Sequence, residues 1–330
     1  MVATTLESSG RLQKKNIIRF APILIIGIIL FILPSFIPHY LVGLFTLTFI
    51  FAIFAMSLDI VLGYTGLLSI MHASFFGIAA YTAAVLMVKM GINSFWVGFP
   101  CGILIAGILA AIAGVVLLRV HGIYFLIASL CLGYMVYSIT WGWDYLEMYQ
   151  SKGIMGIDFP GIGIPGFTFT EVSYCRFSFL LFLLCFYLLY RFVNSPFGYS
   201  LRGIREDEER MQVLGYNTWF YKFAVFIIGA LFAGVAGVLF AYCNTTVEPE
   251  HLGFSYSTYA ILMVILGGSG TLFGPPIGAA LLVFLEFYTG IVSPERWPLI
   301  LGLILILTIM FSRGGIGLHL QRLWKKVLPS

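Results

Sequence analysis

Charged residues are scarce in this sequence. Lysine, arginine, aspartate and glutamate make up 10% of its 330 residues, while 60% are apolar and the mean hydropathy is +1.01. Soluble globular domains carry about 25% charged residues, so this composition excludes a soluble domain and indicates a polytopic membrane protein. The net charge of +4 is small, and the cations stand at the ends of apolar runs, which indicates membrane topology rather than nucleic-acid binding.

The sequence also lacks cysteine spacings typical of metal-binding sites and clusters of catalytic residues. The five cysteines show no CxxC spacing and four lie in apolar runs, so we interpret them as small packing residues. The five histidines are dispersed, which argues against a membrane-embedded enzyme. These residues are Cys101, Cys131, Cys175, Cys185 and Cys243, with His39, His72, His121, His251 and His319.

A phosphate-binding loop is absent as well. Four glycines crowd together between Gly267 and Gly274, but the lysine that such a loop needs does not follow them. Uphill transport would therefore require ATP hydrolysis by another chain or an ion gradient. Ion coupling is marked by several ionisable residues at membrane depth, and only Asp59 and Glu286 qualify, which disfavours a self-sufficient secondary transporter.

Apolar runs predict an all-α fold of about ten transmembrane helices. The runs cover residues 20–38, 41–62, 67–88, 95–118, 122–143, 177–193, 218–243, 255–273, 276–292 and 297–312. The alternative interpretation of the first run is a cleaved signal peptide. Its length suits a span and no small-residue cleavage site follows it, so we interpret it as an uncleaved helix.

The distribution of lysine and arginine supports this topology. With a cytoplasmic N-terminus, fourteen of the 18 cations fall on the cytoplasmic side, as the positive-inside rule expects. The cytoplasmic set is Arg11, Lys14, Lys15, Arg19, Arg119, Arg191, Arg202, Arg205, Arg210, Lys222, Arg313, Arg322, Lys325 and Lys326, and the external set is Lys89, Lys152, Arg176 and Arg296. We therefore expect a cytoplasmic segment at 1–19, a transmembrane domain at 20–312 and a cytoplasmic tail at 313–330.

Two glycine-rich joints interrupt the apolar pattern and resemble each other. The stretches beginning at Gly63 and Gly267 share a GxxGxL pattern and a later small-residue run. Transporters often contain internal repeats with a substrate pathway at interrupted helices, so we predict helix breaks here, either as cytoplasmic turns or at membrane depth. The predicted break residues are Gly63, Gly66, Gly267, Gly268, Gly270, Gly274 and Pro275.

The longest strongly polar run lies at 197–217. Three arginines and four consecutive acidic residues place it in water, since a charge in hydrocarbon costs at least about 2.5 kcal/mol. Pro196 precedes it and Gly215 stands near its end, which predicts a short helix between two spans.

Several polar residues have two readings. Asp59 and Glu286 either pair with neighbouring helices or belong to a pathway, and His72 either contacts a substrate carboxylate or satisfies a backbone carbonyl. The loop at about 144–176 is long enough to be functional. It is either a solvated connector or a docking site for an external binding protein, and Glu248, Glu250 and His251 in the next external loop extend the same face.

The chain resembles a known family, the permease subunits of branched-chain amino acid ABC importers. The matching stretches follow one another along nearly the whole chain. They are Gly63 to Gly66 with Leu68, Ser69, His72, Ala73 and Phe75; Gly122 to Phe125 with Leu130; Phe197 to Gly215; Tyr221 and Lys222; Ala233 to Gly237; Leu266 to Pro275; and Trp297 to Gly302.

The resemblance implies a non-enzymatic permease that passes leucine, isoleucine or valine into the cytoplasm of a bacterium across its inner membrane. It implies four kinds of partner: a second homologous permease, two cytoplasmic ABC ATPases, an external substrate-binding protein and membrane lipid. It implies no cofactor on this chain, because the ATPases use ATP and Mg²⁺, and no nucleic acid. Related permeases for urea or other small amides are the alternative.

The resemblance also suggests roles for individual residues. The run at 197–217 becomes the segment that couples the permease to its ATPases. The expected coupling residues are Arg205, Glu206, Glu208, Met211, Leu214 and Gly215, and the expected pathway residues are Ser69, His72, Tyr124, Phe125, Ser129, Ser269 and Thr271. The chain departs from the family pattern at Met71, Arg210 and Met211 and at Ser151 to Gly153, in the pathway, coupling surface and outer mouth.

Overall fold

The structure is a computed structural model that describes residues 27–143, 153–161, 169–292 and positions 299, 300, 302, 303 and 306. The predictions for segment 1–19, for residues 20–26 of the first span, for parts of the 144–176 loop, for most of the last span and for the tail at 313–330 lie outside the described residues.

The described residues are almost entirely helical, as the composition predicts. The helices are α1 His39–Thr65, α2 His72–Ala84, α3 Phe95–Leu117, α4 Ile123–Trp141, α5 Glu171–Val193, α6 Pro196–Glu206, α7 Glu208–Val213, α8 Thr218–Cys243, α9 Phe254–Gly267 and α10 Gly274–Val292. A π-helical turn at Val85–Lys89 extends α2, and short turns occupy Leu33–Ser35 and Pro249–Leu252. Two short strands, β1 Ile154–Met155 and β2 Thr246–Val247, complete the list.

Six helices of the described chain are long and apolar enough to cross a membrane: α1, α2 with its π-helical turn, α3, α4, α5 and α8. Helix α9 is different, because it has 14 residues and reaches about 21 Å at 1.5 Å per residue. That is short of a hydrocarbon core of about 30 Å. It therefore covers only part of the bilayer.

The structure corrects three of the predicted boundaries. Helix α5 begins at Glu171, six residues before the predicted span, because Thr170 caps it by accepting a hydrogen bond from the Ser173 backbone N–H. The predicted span at 255–273 ends at Gly267. The single short helix predicted in the polar run is two helices, α6 and α7, since Asp207 adopts an extended backbone between them.

Helices α1, α2 and α8 form the centre of the bundle. Close approach is possible because α8 is rich in small residues: Gly237 lies against the carbonyl oxygen of Phe76, and Gly229 lies against Ser57 and Val61 of α1. By contrast, the exposed residues of α3 are uniformly apolar, as expected of a surface in contact with lipid.

One end of the bundle carries the loops predicted to be external. Strands β1 and β2 pair in antiparallel register, with Ile154 opposite Val247. The chain after β2 then descends between the helices. Leu252 packs against Gly77, which stands twelve residues before Lys89 at the end of the π-helical turn that extends α2. Twelve helical residues span about 18 Å, so α9 begins near the middle of the bundle.

Candidate functional site

The first chain break follows α1. Gly66 has a positive φ of 75° and ends the helix, and the chain stays non-helical until α2 begins at His72. The break is held to its surroundings by two hydrogen bonds. Ile70 N donates to Ser129 Oγ at 3.1 Å, and His72 Nε2 lies 2.8 Å from Ser57 Oγ.

The second break separates α9 from α10. Gly268 and Gly270 both have positive φ, at 106° and 77°, conformations that favour glycine because other residues carry a Cβ. Thr271 Oγ1 closes the turn by donating to the carbonyl of Gly268 at 2.7 Å. Gly274 and Pro275 then start α10.

The second break meets the end of α1 at one end of the bundle. Asp59 Oδ1 accepts a hydrogen bond of 2.7 Å from Gly270 N, which joins residues 211 positions apart. Gly63 lies at the same contact, where a Cβ would overlap Gly270 N and the Asp59 carboxylate. The prediction of a helix break at Gly63 is wrong, since Gly63 is inside α1. Its lack of a side chain instead permits the contact.

Arg205 joins the polar segment to the end of α1 and to the second break. Its Nη1 donates a hydrogen bond to the carbonyl of Gly63, and a Cβ on Gly270 would lie 3.1 Å from the same nitrogen. The neighbouring guanidinium of Arg202 lies 5.2 Å from the centre of the Tyr64 ring. The polar segment therefore contacts the end of α1 and the second break directly.

The remaining residues of the polar segment divide into inward and outward groups. Glu208 Oε2 lies 2.5 Å from Lys222 Nζ on α8, and Met211 packs on Gly203. Glu206, Leu214 and Gly215 are exposed. Of the residues predicted for coupling, Arg205 and Glu208 thus hold the segment to the bundle. Met211 packs α7 on α6 within the segment, and the other three residues are exposed.

One exposed apolar residue of this segment, Val213, was not predicted from the sequence. Val213 is 88% exposed beside Leu214 at 65%, although both lie in an otherwise polar run. Contiguous exposed apolar surface is typical of contact sites for other proteins, and these two residues are adjacent in the chain. The signal in the sequence was the pair of aliphatic residues just before Gly215.

The residues predicted for the pathway do not converge on one cavity. Phe125 is buried against Phe226, and Tyr124 is exposed on the outside of α4. Ser129 is buried at the first break. Ser69 and His72 are buried at the same break, and Ser269 and Thr271 lie in the second break. Their role in transport stays a prediction.

Glu286 takes the paired arrangement that was one of its two readings. The Tyr259 hydroxyl donates to Glu286 Oε2 at 2.7 Å, which links α9 to α10. Asp59 is likewise paired through Oδ1, but its Oδ2 has no hydrogen-bond partner among the described residues.

A cavity of about 500 Å³ lies between α4 and the start of α9. It is lined by a carboxylate, two tyrosines and several aliphatic side chains. The lining residues are Ile70, Leu130, Gly133, Tyr134, Tyr137, Glu250, Leu252, Gly253, Phe254 and Ser255. Sequence reasoning missed this site, because Glu250 was assigned to an external surface and the tyrosines had no distinguishing pattern.

His251 is packed inside the descending turn rather than displayed on an external face. Its ring contacts Phe240 and Tyr256, and its Nδ1 accepts a hydrogen bond of 2.9 Å from Glu248 N. Burial lowers the pKa of His251 to about 4, because the charged imidazolium loses its hydration. The neutral ring is therefore the form that supports the turn.

Comparison with known proteins gives a consistent result. A family model described as "Branched-chain amino acid transport system / permease component" matches residues 40–310. The chain is 32% identical over 275 residues to the high-affinity branched-chain amino acid transport system permease protein LivM of Escherichia coli K12, and 30% identical over the same length to LivM of Salmonella typhimurium. No solved structure matches it.

The aligned lengths differ among these relatives. Each LivM alignment covers 76% of this chain and 64% of the relative, so the chain spans less than two thirds of their length. The permease protein LivH of Salmonella typhimurium is 24% identical over 290 residues, which cover 82% of this chain and 92% of that protein. The chain is thus similar to both kinds of permease protein.

Proposed function

Because this chain belongs to the family of branched-chain amino acid transport permease components, we propose that it is the membrane-spanning permease subunit of an ATP-driven importer. It passes leucine, isoleucine or valine from an external binding protein to the cytoplasm. The chain does not carry the phosphate-binding motif needed to hydrolyse ATP, so the energy comes from partner ATPases. The names of its relatives support this substrate class.

The observation that carries the proposal is the contact between Arg205 and the end of α1. A cytoplasmic ATPase changes shape as it binds and hydrolyses ATP, and its motion must reach the membrane pathway. The polar segment offers an exposed apolar surface at Val213 and Leu214, while Arg205 of the same segment binds Gly63. One segment thus connects a docking surface to the end of α1 and to the second break.

The full assembly contains two permeases, two ATPases and the binding protein. Similarity to both LivM and LivH supports pairing with a related permease. The exposed face of α4 is the proposed contact, because it carries Tyr124, Cys131, Tyr134 and Ser138, whereas the exposed face of α3 is apolar throughout. Both termini are proposed to lie in the cytoplasm of a bacterium, on the side of the polar segment.

Reconstitution tests the proposal. The chain, its neighbouring permease and the ATPases are placed in liposomes with the binding protein, and uptake of radiolabelled leucine is followed with and without ATP. We expect uptake that requires ATP and is inhibited by unlabelled isoleucine or valine but not by urea. Leucine uptake that persists without any ATPase would contradict the energy source, and selective inhibition by urea would contradict the substrate class.

A further inference from the structure

The cavity beside the start of α9 has features that the coupling role does not use. Its floor lies near the middle of the bundle, because Leu252 packs on Gly77 and Ser74 Oγ donates to the carbonyl of Leu252 at 3.4 Å. Its wall includes Ile70 from the first break. The cavity is therefore near membrane depth, between the outer loops and the two breaks.

Glu250 is the charged residue among the described residues that line this cavity. Glu250 is exposed and shares the lining of the cavity with the phenols of Tyr134 and Tyr137. The structure gives its carboxylate no ion pair within the described residues. A carboxylate near membrane depth is costly unless it meets a cation or a donor, so this site favours a positively charged group.

The first turn of α9 supplies backbone N–H groups that favour a negatively charged group. Gly253 caps the helix without a side chain, so the backbone N–H groups of residues 254 to 256 have no partner inside the helix. Gly253, Phe254 and Ser255 line the cavity. The start of a broken helix near the bilayer midplane can bind an anionic substrate group.

The rest of the lining is suited to an aliphatic side chain. Ile70, Leu130 and Leu252 contribute apolar surface, and Gly133 leaves room beside them. A volume of about 500 Å³ is within the range of small-molecule sites. Acidic, N–H-donating and apolar surfaces thus occur together in one space.

We propose that this cavity is a binding site for a free zwitterionic amino acid within the permease, with Glu250 binding the ammonium group and the start of α9 binding the carboxylate. The proposal rests on the proposed function, and it assigns that function a site inside the membrane domain. The apolar wall then takes the aliphatic side chain.

Direct binding to the purified complex of permeases and ATPases tests this site. Radiolabelled leucine is added without the binding protein, and bound label is measured by scintillation proximity. Two competitors each lack one charged group: 4-methylpentanoate lacks the ammonium group and 3-methylbutylamine lacks the carboxylate. We expect the wild-type complex to bind leucine, and each competitor to displace it only at a concentration at least a hundredfold higher than unlabelled leucine requires.

Glu250→Gln preserves the shape of the side chain and removes its charge. We expect it to weaken leucine binding at least tenfold while leaving the affinity for 4-methylpentanoate unchanged, so that the preference for leucine falls. A merely structural role would weaken both ligands together. Asp158→Asn is the control, since Asp158 is exposed in the outer loop and does not line the cavity, and it should bind as wild type does.

The outcomes separate this proposal from the proposed function. If the complex takes up leucine with ATP but Glu250→Gln binds leucine as tightly as wild type, the site is overturned and the importer function stands. The same holds if uptake occurs but no leucine binds without the binding protein. If the wild-type complex neither transports nor binds branched-chain amino acids, both proposals fail. ATPase activity stimulated by the binding protein confirms that each variant is folded.

Discussion

Asp59 in α1 accepts a hydrogen bond of 2.7 Å from the backbone N–H of Gly270 in the second break. Asp59 is fully buried, so the bond is shielded from water and is stronger than an exposed one. It joins α1, just before the first glycine-rich stretch, to the second of the two similar stretches. Because Arg205 binds Gly63 at the same place, movement of the polar segment is expected to reach the end of α1 and the second break.

Gly63→Ala tests the close approach of α1 to the second break. The added methyl group would overlap Gly270 N and the Asp59 carboxylate, so we expect it to lower the free energy of unfolding by about 1 to 3 kcal/mol. Thermal unfolding in detergent measures this change. Gly43→Ala is the matched control in α1, because nothing lies within 4 Å of its added Cβ. Equal unfolding temperatures for the two variants would contradict the contact.

Arg205→Ala tests the link between the polar segment and the breaks. The variant loses the hydrogen bond to Gly63 but keeps the exposed surface at Val213 and Leu214. We expect the ATPases to co-purify normally while leucine uptake per ATP hydrolysed falls at least tenfold. Arg210→Ala is the control, since Arg210 pairs with Asp207 at the surface. Unchanged coupling in Arg205→Ala would count against the link.

Leu214→Asp tests the docking surface. It should impair association with the ATPases, which Arg205→Ala should leave normal. Leu214 is 65% exposed, so a charge there costs the isolated permease little, but it would be buried against an ATPase. We expect reduced co-purification of the ATPases with no change in membrane insertion. Glu209→Gln, also exposed on α7, is the control for a changed charge. Normal ATPase retention by Leu214→Asp would place the docking surface elsewhere.

Glu208→Ala tests how the polar segment is held to α8. The side chain of Lys222 is 9% exposed and that of Glu208 is 27% exposed, so the variant leaves a largely buried ammonium group unpaired. Loss of one partner from a buried ion pair costs about 3 kcal/mol or more. We expect a lower unfolding temperature, recovered by combining Glu208→Gln with Lys222→Met. The more exposed Asp207–Arg210 pair contributes at most about 1 kcal/mol, so Arg210→Ala should leave the unfolding temperature nearly unchanged.

The turn at Pro249–Leu252 should depend on pH through His251. Burial lowers the folded-state pKa of this residue from 6.5 to about 4. Its stabilising contribution is therefore complete above pH 6.5 and is lost as the pH falls toward 4. The loss is at most about 3 kcal/mol, because protonation removes the acceptor for Glu248 N. Negative charge on the adjacent Glu248 and Glu250 opposes this effect but does not reverse its direction.

Thermal unfolding of wild type and His251→Gln between pH 4 and 7 measures the effect. The difference in unfolding temperature between the two proteins should shrink as the pH falls. His121→Gln serves as the control, since His121 is exposed. A constant difference across this range would contradict the assignment to His251.

Composition and local pattern determined the class of fold and the position of most elements. Long apolar runs specify helices wherever water is absent, because every backbone group must then be satisfied within its own segment. The runs that became α1, α3 and α8 were therefore visible in the sequence. The polar segment and the need for flexible backbone at Gly66, Gly268 and Gly270 were visible for the same local reasons.

The tertiary structure decided which of these local features meet. Asp59 and Gly270 are 211 residues apart, and Arg205 and Gly63 are 142 apart; neither pair follows from a helical period or a propensity. Gly63 appeared to be a break and is instead a contact, because its helix packs against the second break. Glu250 reaches a cavity near membrane depth because the chain after β2 descends onto Gly77. Local sequence specifies backbone and polarity, and only packing fixes the depth and partners of a side chain.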